Sequence, residues 1–248
     1  MATRVIDYMN KYAIKTLAVT ASILFVICIP TFLITTDLRF AVNDIRLYEY
    51  GFNKYQVSAV PGLNLNMEEL LDVADQLIDY FNSDEEFLDI DLFNEREVAH
   101  MKDVKGLVQL AYFLQLASMA YIVVFVAINF ALKRGAFWRG LARRLVWGSG
   151  ATIGLLAALG LWAATGFETL FLLFHLASFS NDLWQLSPGD NLLLMFPQEF
   201  FNDATLFVAG AAIAEAIIIA GIAWGIPALR GKARHKALSK HSNENRVV

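Results

Sequence analysis

The chain has 248 residues, 57% hydrophobic and 18% charged, with a formal net charge of −4. That length could hold one or two soluble domains, but charge is withheld from such long stretches that a soluble fold is excluded. Its single cysteine, Cys28, excludes an intramolecular disulfide and a cysteine metal site.

Residues 16–36, 107–132, 145–165 and 205–229 are apolar blocks of 21 residues or more. At about 1.5 Å per residue, each covers the roughly 30 Å hydrocarbon core of a bilayer. The expected fold is an all-α membrane protein with four transmembrane helices. The first block is long and no small-x-small site follows it, so it reads as an uncleaved anchor rather than a signal peptide. Ile27 precedes Cys28, so that cysteine does not resemble a lipoprotein acceptor.

Charge sets the expected orientation. Residues 1–15 carry Arg4, Lys11 and Lys15 against Asp7. The 133–144 loop carries Lys133, Arg134, Arg139, Arg143 and Arg144 with no acid, and the tail from 230 carries six basic residues against Glu244. Residues 37–105 hold 16 acidic and 6 basic residues, and 166–203 hold five acidic and none basic. Basic residues near span ends mark the cytoplasmic side, which gives N-in/C-in. The expected order is a cytoplasmic N-terminus (1–15), helix 1 (16–36), an extracellular domain (37–105) and helix 2 (106–132). A basic cytoplasmic loop (133–144) and helix 3 (145–165) follow. An extracellular interfacial helix and loop (166–203), helix 4 (204–229) and a basic cytoplasmic tail (230–248) complete it. Residues 166–180 are too short for a fifth span and would invert the charge pattern. They read as an extension of helix 3 or an interfacial helix after a bend at Thr165–Gly166.

The domain at 37–105 is expected to be small and mainly helical. LYEYGFNKYQV (47–57) alternates loosely and suits a strand or an interfacial aromatic segment, and Pro61–Gly62 marks a turn. NMEELLDVADQLIDYFN reads as an amphipathic helix with Asn66 as N-cap, Glu69 completing a capping box, and Leu70, Leu71, Ala74, Leu77, Ile78 and Phe81 as its apolar stripe. SDEEFLDID reads as a solvated loop. No internal repeat is present.

Two polar motifs stand at the expected outer edge. In FNEREVAHMKDVKGLV (93–108), helical spacing puts Arg96, Glu97 and Asp103 on one face with His100. In FETLFLLFHLASFSNDLW, Glu168 and Asp182 each lie seven residues from His175, with Ser178 at three, as a polar stripe on an apolar helix. A polar ring in such surroundings is costly unless paired, so His175 reads as functional more readily than His100, whose plain alternative is an interfacial residue hydrogen-bonded to Glu97 or Asp103. His235 and His241 lie in the basic tail and read as solvated. Glu97-x-x-His100 could hold two metal ligands, but a di-iron bundle needs a second such motif, which is missing. A zinc site on His100, His175 and a carboxylate stays open. No G-x-S-x-G or glycine-rich phosphate loop is present. Glu215 in the fourth block reads as locally paired. Two imidazoles at a membrane surface suit acid–base work in acyl transfer.

These motifs, with FHLASFSNDLWQLSPGDNLLLMFPQEFF, LYEYGFNKY and the four-span layout, resemble the bacterial integral membrane family that includes the lipoprotein intramolecular transacylase Lit. The resemblance extends to about residue 230. Ser187 before Pro188 departs from it, since an acidic residue is usual there. The resemblance implies a diacylglyceryl lipoprotein substrate whose sn-2 acyl chain moves to the α-amino group of its N-terminal cysteine, giving an N-acyl, lyso-form product. It implies an active site at the outer leaflet of the bacterial cell membrane, with His100 and His175 catalytic. His100 is then the expected base, its ring oriented by Asp103 or Glu97. His175, beside Asn181, is the expected hydrogen-bond donor to the oxyanion. Arg96, Glu97, Asp103, Asn181, Asp182 and Trp184 are expected to bind or orient the substrate, the acids holding its ammonium group. No serine nucleophile is required, because reacting groups held in one molecule reach effective molarities of about 10⁵–10⁸ M. No cofactor, metal or nucleic acid is expected, and the partners are the lipoprotein and membrane lipid, with a monomeric enzyme. Two other classes remain open from the residues: a related lipid hydrolase or intermolecular acyltransferase, and a non-catalytic membrane sensor or assembly factor.

Overall fold

The structure, a computed structural model, describes residues 2–133 and 137–244, with side chains over 12–132 and 137–225. The charges assigned to Arg4, Asp7, Lys11, Lys133, Arg134 and the tail from 230, with His235 and His241, lie outside the described side chains. Seven α-helices form among the described residues: α1 (Ala2–Asn43), α2 (Ile45–Lys54), α3 (Met67–Asn82), α4 (Glu95–Lys133), α5 (Phe137–Ser178), α6 (Asn191–Met195) and α7 (Gln198–Glu244). A 3₁₀ turn covers Val57–Ala59. Four helices are long and apolar enough to cross a membrane, at Tyr12–Asn43, Glu95–Leu132, Phe137–Ser178 and Gln198–Gly225. The protein is a multi-pass membrane protein.

Two compact units divide the chain. The first comprises Met1–Leu33, Leu116–Leu155 and Ala212–Val248. Small side chains let its helices approach: Ala212, Ala216 and Ala223 of α7 are buried, as are Ser149 and Thr152 of α5. Such packing is how helices associate where lipid removes the hydrophobic drive between them. A Cβ on Gly148 would stand 2.7 Å from Ile29 Cβ, so α1 and α5 touch there only because the residue is glycine. Phe25 meets Phe125 at 4.6 Å between ring centroids, and the Tyr121 hydroxyl donates to the Ala21 carbonyl at 2.8 Å.

The second unit comprises Ile34–Gln115 and Leu156–Ala211. Its core gathers Tyr48 and Phe52 of α2, Leu70 and Leu77 of α3, and Met195 and Phe200 near α6 and α7. Helix α3 starts where the sequence places it: Asn66 Oδ1 accepts from the Glu68 and Glu69 amides, and Glu69 returns a bond to the Asn66 amide. The 47–57 stretch does not form a strand, one of its two expected readings. Asp44 caps it as helix α2, which buries Tyr48, Gly51 and Phe52 on one face, a helical rather than alternating spacing. The bend expected at Thr165–Gly166 is present, since Gly166 leaves the helical region (φ 177°, ψ 68°). There the Thr165 hydroxyl turns back onto the Trp162 carbonyl at 2.9 Å.

Gly51 is the tightest point of this core, because a Cβ there would lie 2.3 Å from Phe200 Cδ2. Gly51→Ala should therefore destabilise the detergent-solubilised protein by about 1–3 kcal/mol through forced repacking. Gly106→Ala, exposed on α4 with nothing within 4 Å of the added carbon, should leave stability equal or raise it by up to about 1 kcal/mol. Thermal unfolding of the two variants side by side checks both.

Candidate active site

The N-terminus of α4 is built by a second capping box. Asn94 Oδ1 accepts from the amides of Arg96 (2.9 Å) and Glu97 (3.1 Å), and Glu97 Oε2 accepts from the Asn94 amide at 2.8 Å. The remaining oxygen, Oε1, accepts from the Leu192 amide at 2.6 Å, in α6. Glu97 is only 1% exposed, so this carboxylate is spent on main-chain donors at the starts of two helices, where negative charge is favoured. It makes no bond to His100.

The loop after α5 is laced to the same helix. An Arg96 terminal nitrogen donates to the Asp182 carbonyl and stands 3.6 Å from the Asp182 carboxylate. That carboxylate is 76% exposed, so the main-chain bond matters more than the ion pair. Asn181 Nδ2 donates to Asp103 Oδ2 at 2.8 Å, while Asn181 Oδ1 accepts from the Leu183 amide and its carbonyl accepts from Trp184 Nε1 at 3.0 Å. Asn94 Nδ2 reaches Asp190 at 3.1 Å, and Asn191 Nδ2 reaches the Leu92 carbonyl at 2.7 Å. Asp190 also closes the Ser187–Asp190 turn through the Ser187 amide at 2.7 Å. Ser187 contributes there through its main chain.

The lacing brings the two imidazoles together. His100 and His175 are 7% and 8% exposed, with ring centroids 6.3 Å apart. His175 Nδ1 sits 2.8 Å from the Phe171 carbonyl. An acceptor at that position makes Nδ1–H the donor, which leaves Nε2 as the ring's free basic nitrogen. Aromatic rings surround it: Phe171 at 4.3 Å, Trp184 at 5.2 Å and Phe179 at 5.6 Å. Phe179 also meets the His100 ring edge-on at 5.2 Å. The Nδ1 of His100 is buried without a hydrogen-bond partner, so neither Asp103 nor Glu97 orients that ring through a bond. The site thus offers one ring fixed by the main chain and one held by packing.

All eight residues singled out by the sequence fall in the second unit. Six take part in one bonded lattice, and the two histidines face each other within it. The helical stripe drawn from His175 to Asp182 does not form, because α5 ends at Ser178 and Asp182 lies in the following turn. Glu168 is exposed on α5. The sequence reading passed over Asn94, Asp190, Asn191, Phe171 and Phe179. Asn94 was findable, since Asn94-x-x-Glu97 repeats the spacing of Asn66-x-x-Glu69.

Comparison with known proteins follows the same residues. In meso structures of the membrane integral lipoprotein intramolecular transacylase Lit from Bacillus cereus share the fold. One has a TM-score of 0.74 at 23% identity, covering 89% of this chain and 99% of that one. A variant of it with one histidine replaced by arginine gives 0.71 at 22% identity, covering 94% and 99%. An uncharacterised protein of Aquifex aeolicus (strain VF5) is 33% identical over 119 residues, or 47% of this chain, and the match spans half of that relative's length. A family model described as lipoprotein intramolecular transacylase Lit matches residues 23–201, a stretch that contains both histidines and everything bonded around them. The chain therefore belongs to the family described as lipoprotein intramolecular transacylase Lit.

Proposed function

We propose that this protein moves the sn-2 acyl chain of a diacylglyceryl-modified lipoprotein onto the α-amino group of that molecule's own N-terminal cysteine. The observation that carries this reading is the buried pair of imidazoles 6.3 Å apart, one with its Nδ1–H committed to the Phe171 carbonyl. Family membership supports a lipoprotein substrate, and the pair suits the proton handling that such a transfer needs.

The division of labour reverses the one favoured by the sequence. His175 acts as base, because its fixed tautomer presents Nε2 to the substrate. His100 donates a hydrogen bond to the oxyanion. Asp103 Oδ2 is taken by Asn181, and its other oxygen receives the substrate ammonium before deprotonation. The ammonium releases one proton to solvent, and the neutral amine attacks the sn-2 ester carbonyl carbon while passing a second proton to His175 Nε2. The tetrahedral intermediate collapses with cleavage of the bond to the glycerol oxygen, which takes the proton back from His175. An amide and a free sn-2 hydroxyl result, and no other reactant is consumed. Nucleophile and ester arrive in one molecule, so positioning supplies much of the acceleration. Phe171, Phe179 and Trp184 form an apolar wall along which the acyl chain lies. The charge asymmetry of the sequence supports N-in/C-in, with 37–105 and 166–203 outside and the site at the outer leaflet. One chain supplies both imidazoles, which supports a monomeric enzyme.

The reading is tested by mass spectrometry of a model lipoprotein's N-terminal peptide, from cells that otherwise leave the cysteine amine free. Co-expression should convert the diacylglyceryl peptide to one with an acyl group on nitrogen and one on glycerol. His175→Ala should lower that product by about 10²–10⁴-fold, the usual contribution of a positioned base. His100→Ala should lower it by about 10²–10³-fold, as loss of an oxyanion donor does. Release of free fatty acid without N-acylation would identify a hydrolase and sink the proposal.

Glu97 gives an independent check on positioning. Glu97→Gln turns an NH₂ toward one of the two main-chain amides that the carboxylate now serves. An unsatisfied buried donor costs about 1–3 kcal/mol. The variant should show a lower unfolding temperature and at least about tenfold less product. An unchanged product level with a normal unfolding temperature would show that the carboxylate does not hold the site.

A further inference from the structure

Far from the histidines in sequence, the first unit carries a groove that acyl transfer does not use. It has a volume of about 570 Å³ and runs between α1 and α5. The α1 wall is Lys15, Ala18, Val19, Ser22, Ile23, Val26 and Ile27. This spacing is a single face of one helix. The α5 wall is Arg143, Arg144 and Trp147. Just beyond its lining, Gly148 of α5 comes close to Ile29 of α1. Its only hydroxyl, Ser22, turns inward onto the Ala18 carbonyl at 2.7 Å, so nothing polar interrupts the apolar floor.

The cations come from the N-terminal side of both stretches, Lys15 on α1 and Arg143 with Arg144 on α5, and none of the lining residues is acidic. Arg144 lies with its guanidinium 5.4 Å from the centre of the Phe125 ring, and its Nε is buried without a partner. A general preference for basic residues at one membrane face explains why such residues occur here. It does not explain why three of them converge on one apolar groove. From Lys15 to Ile27 the groove runs about 18 Å at 1.5 Å per residue, close to half the roughly 30 Å hydrocarbon core. That is the depth of one leaflet.

We infer that this groove binds an anionic glycerophospholipid, with its phosphate among Lys15, Arg143 and Arg144 and an acyl chain along the Ala18–Ile27 face of α1. A soluble anion would use the cations and leave the apolar floor bare. A zwitterionic lipid would use the floor and gain little from three unbalanced positive charges. An anionic lipid satisfies both, as basic pockets between membrane helices do elsewhere. The site stands apart from the proposed reaction and does not depend on it.

Trp147 provides the readout, since its ring lines the groove and is exposed. The full chain in detergent micelles is titrated with phosphatidylglycerol or phosphatidylcholine brominated on the acyl chain. Quenching of Trp147 is isolated by subtracting the Trp147→Phe variant. Phosphatidylglycerol should quench at a markedly lower concentration than phosphatidylcholine. Lys15→Gln and Arg143→Gln, both exposed positions, should each raise its half-saturation by about fivefold. Ala18→Phe, which fills the floor, should weaken quenching by both lipids. Equal half-saturation for the two lipids would overturn the inference, as would a preference that survives removal of both charges. Displacement of the brominated lipid by inorganic phosphate alone would also overturn it, since that marks a plain anion site.

Discussion

The arrangement around the histidines hangs on one buried carboxylate. Glu97 accepts from the amide of its own N-cap residue and from the amide of Leu192, and so joins the start of α4 to α6. A carboxylate taken out of water is tolerated only when its oxygens are satisfied, and here both are. The bond fixes where α4 begins and hence which way His100 projects three residues on. It also pins the far end of the loop whose near end, through Asn181 and Asp182, meets Asp103 and Arg96. Trp184, in that loop, then closes over His175. The two imidazoles make few bonds themselves, and their places follow from a frame of main-chain contacts.

This explains a contrast between the two rings. His175 is held by a bond within its own helix turn, to the carbonyl four residues back, which favours the Nδ1–H tautomer. His100 has no such tie at Nδ1 and is positioned by Phe179 and by the helix that carries it. A base needs a fixed basic nitrogen, while a donor to an oxyanion needs a proton and some latitude to follow the charge as it develops.

What the sequence made legible was whatever depends on local pattern. The four apolar blocks, the Asn66–Glu69 capping box, the turn at Pro61–Gly62 and the break at Gly166 follow from hydropathy, cap chemistry and backbone preference. The helix at 45–54 was missed because its aromatic residues mimic alternation over a few positions. Only burial of Tyr48, Gly51 and Phe52 on one face reveals the period of 3.6. Around the histidines, the sequence brought out eight residues that the structure gathers in one place, but not their pairings. Glu97 and Asp103 share a helical face with His100, yet Asn181, which bonds Asp103, lies 78 residues away in the chain, and Leu192, one of Glu97's two donors, lies 95 away. Helical spacing cannot report such partners. The stripe drawn to Asp182 failed for a related reason: a period holds only as far as the helix does.

The break at Gly166 gives the segment that bears His175 an independence of its own. In an unbroken helix, inserting one residue turns every later side chain by about 100° around the axis. Because the backbone leaves the helical region at Gly166, the azimuth of residues 167–178 is not inherited from the stretch that precedes it. It is set locally, by aromatic contacts such as Phe171 on Phe201 at 5.5 Å and by the loop that follows. A change of torsion at Gly166 alone would re-aim the imidazole without rebuilding the helix on either side.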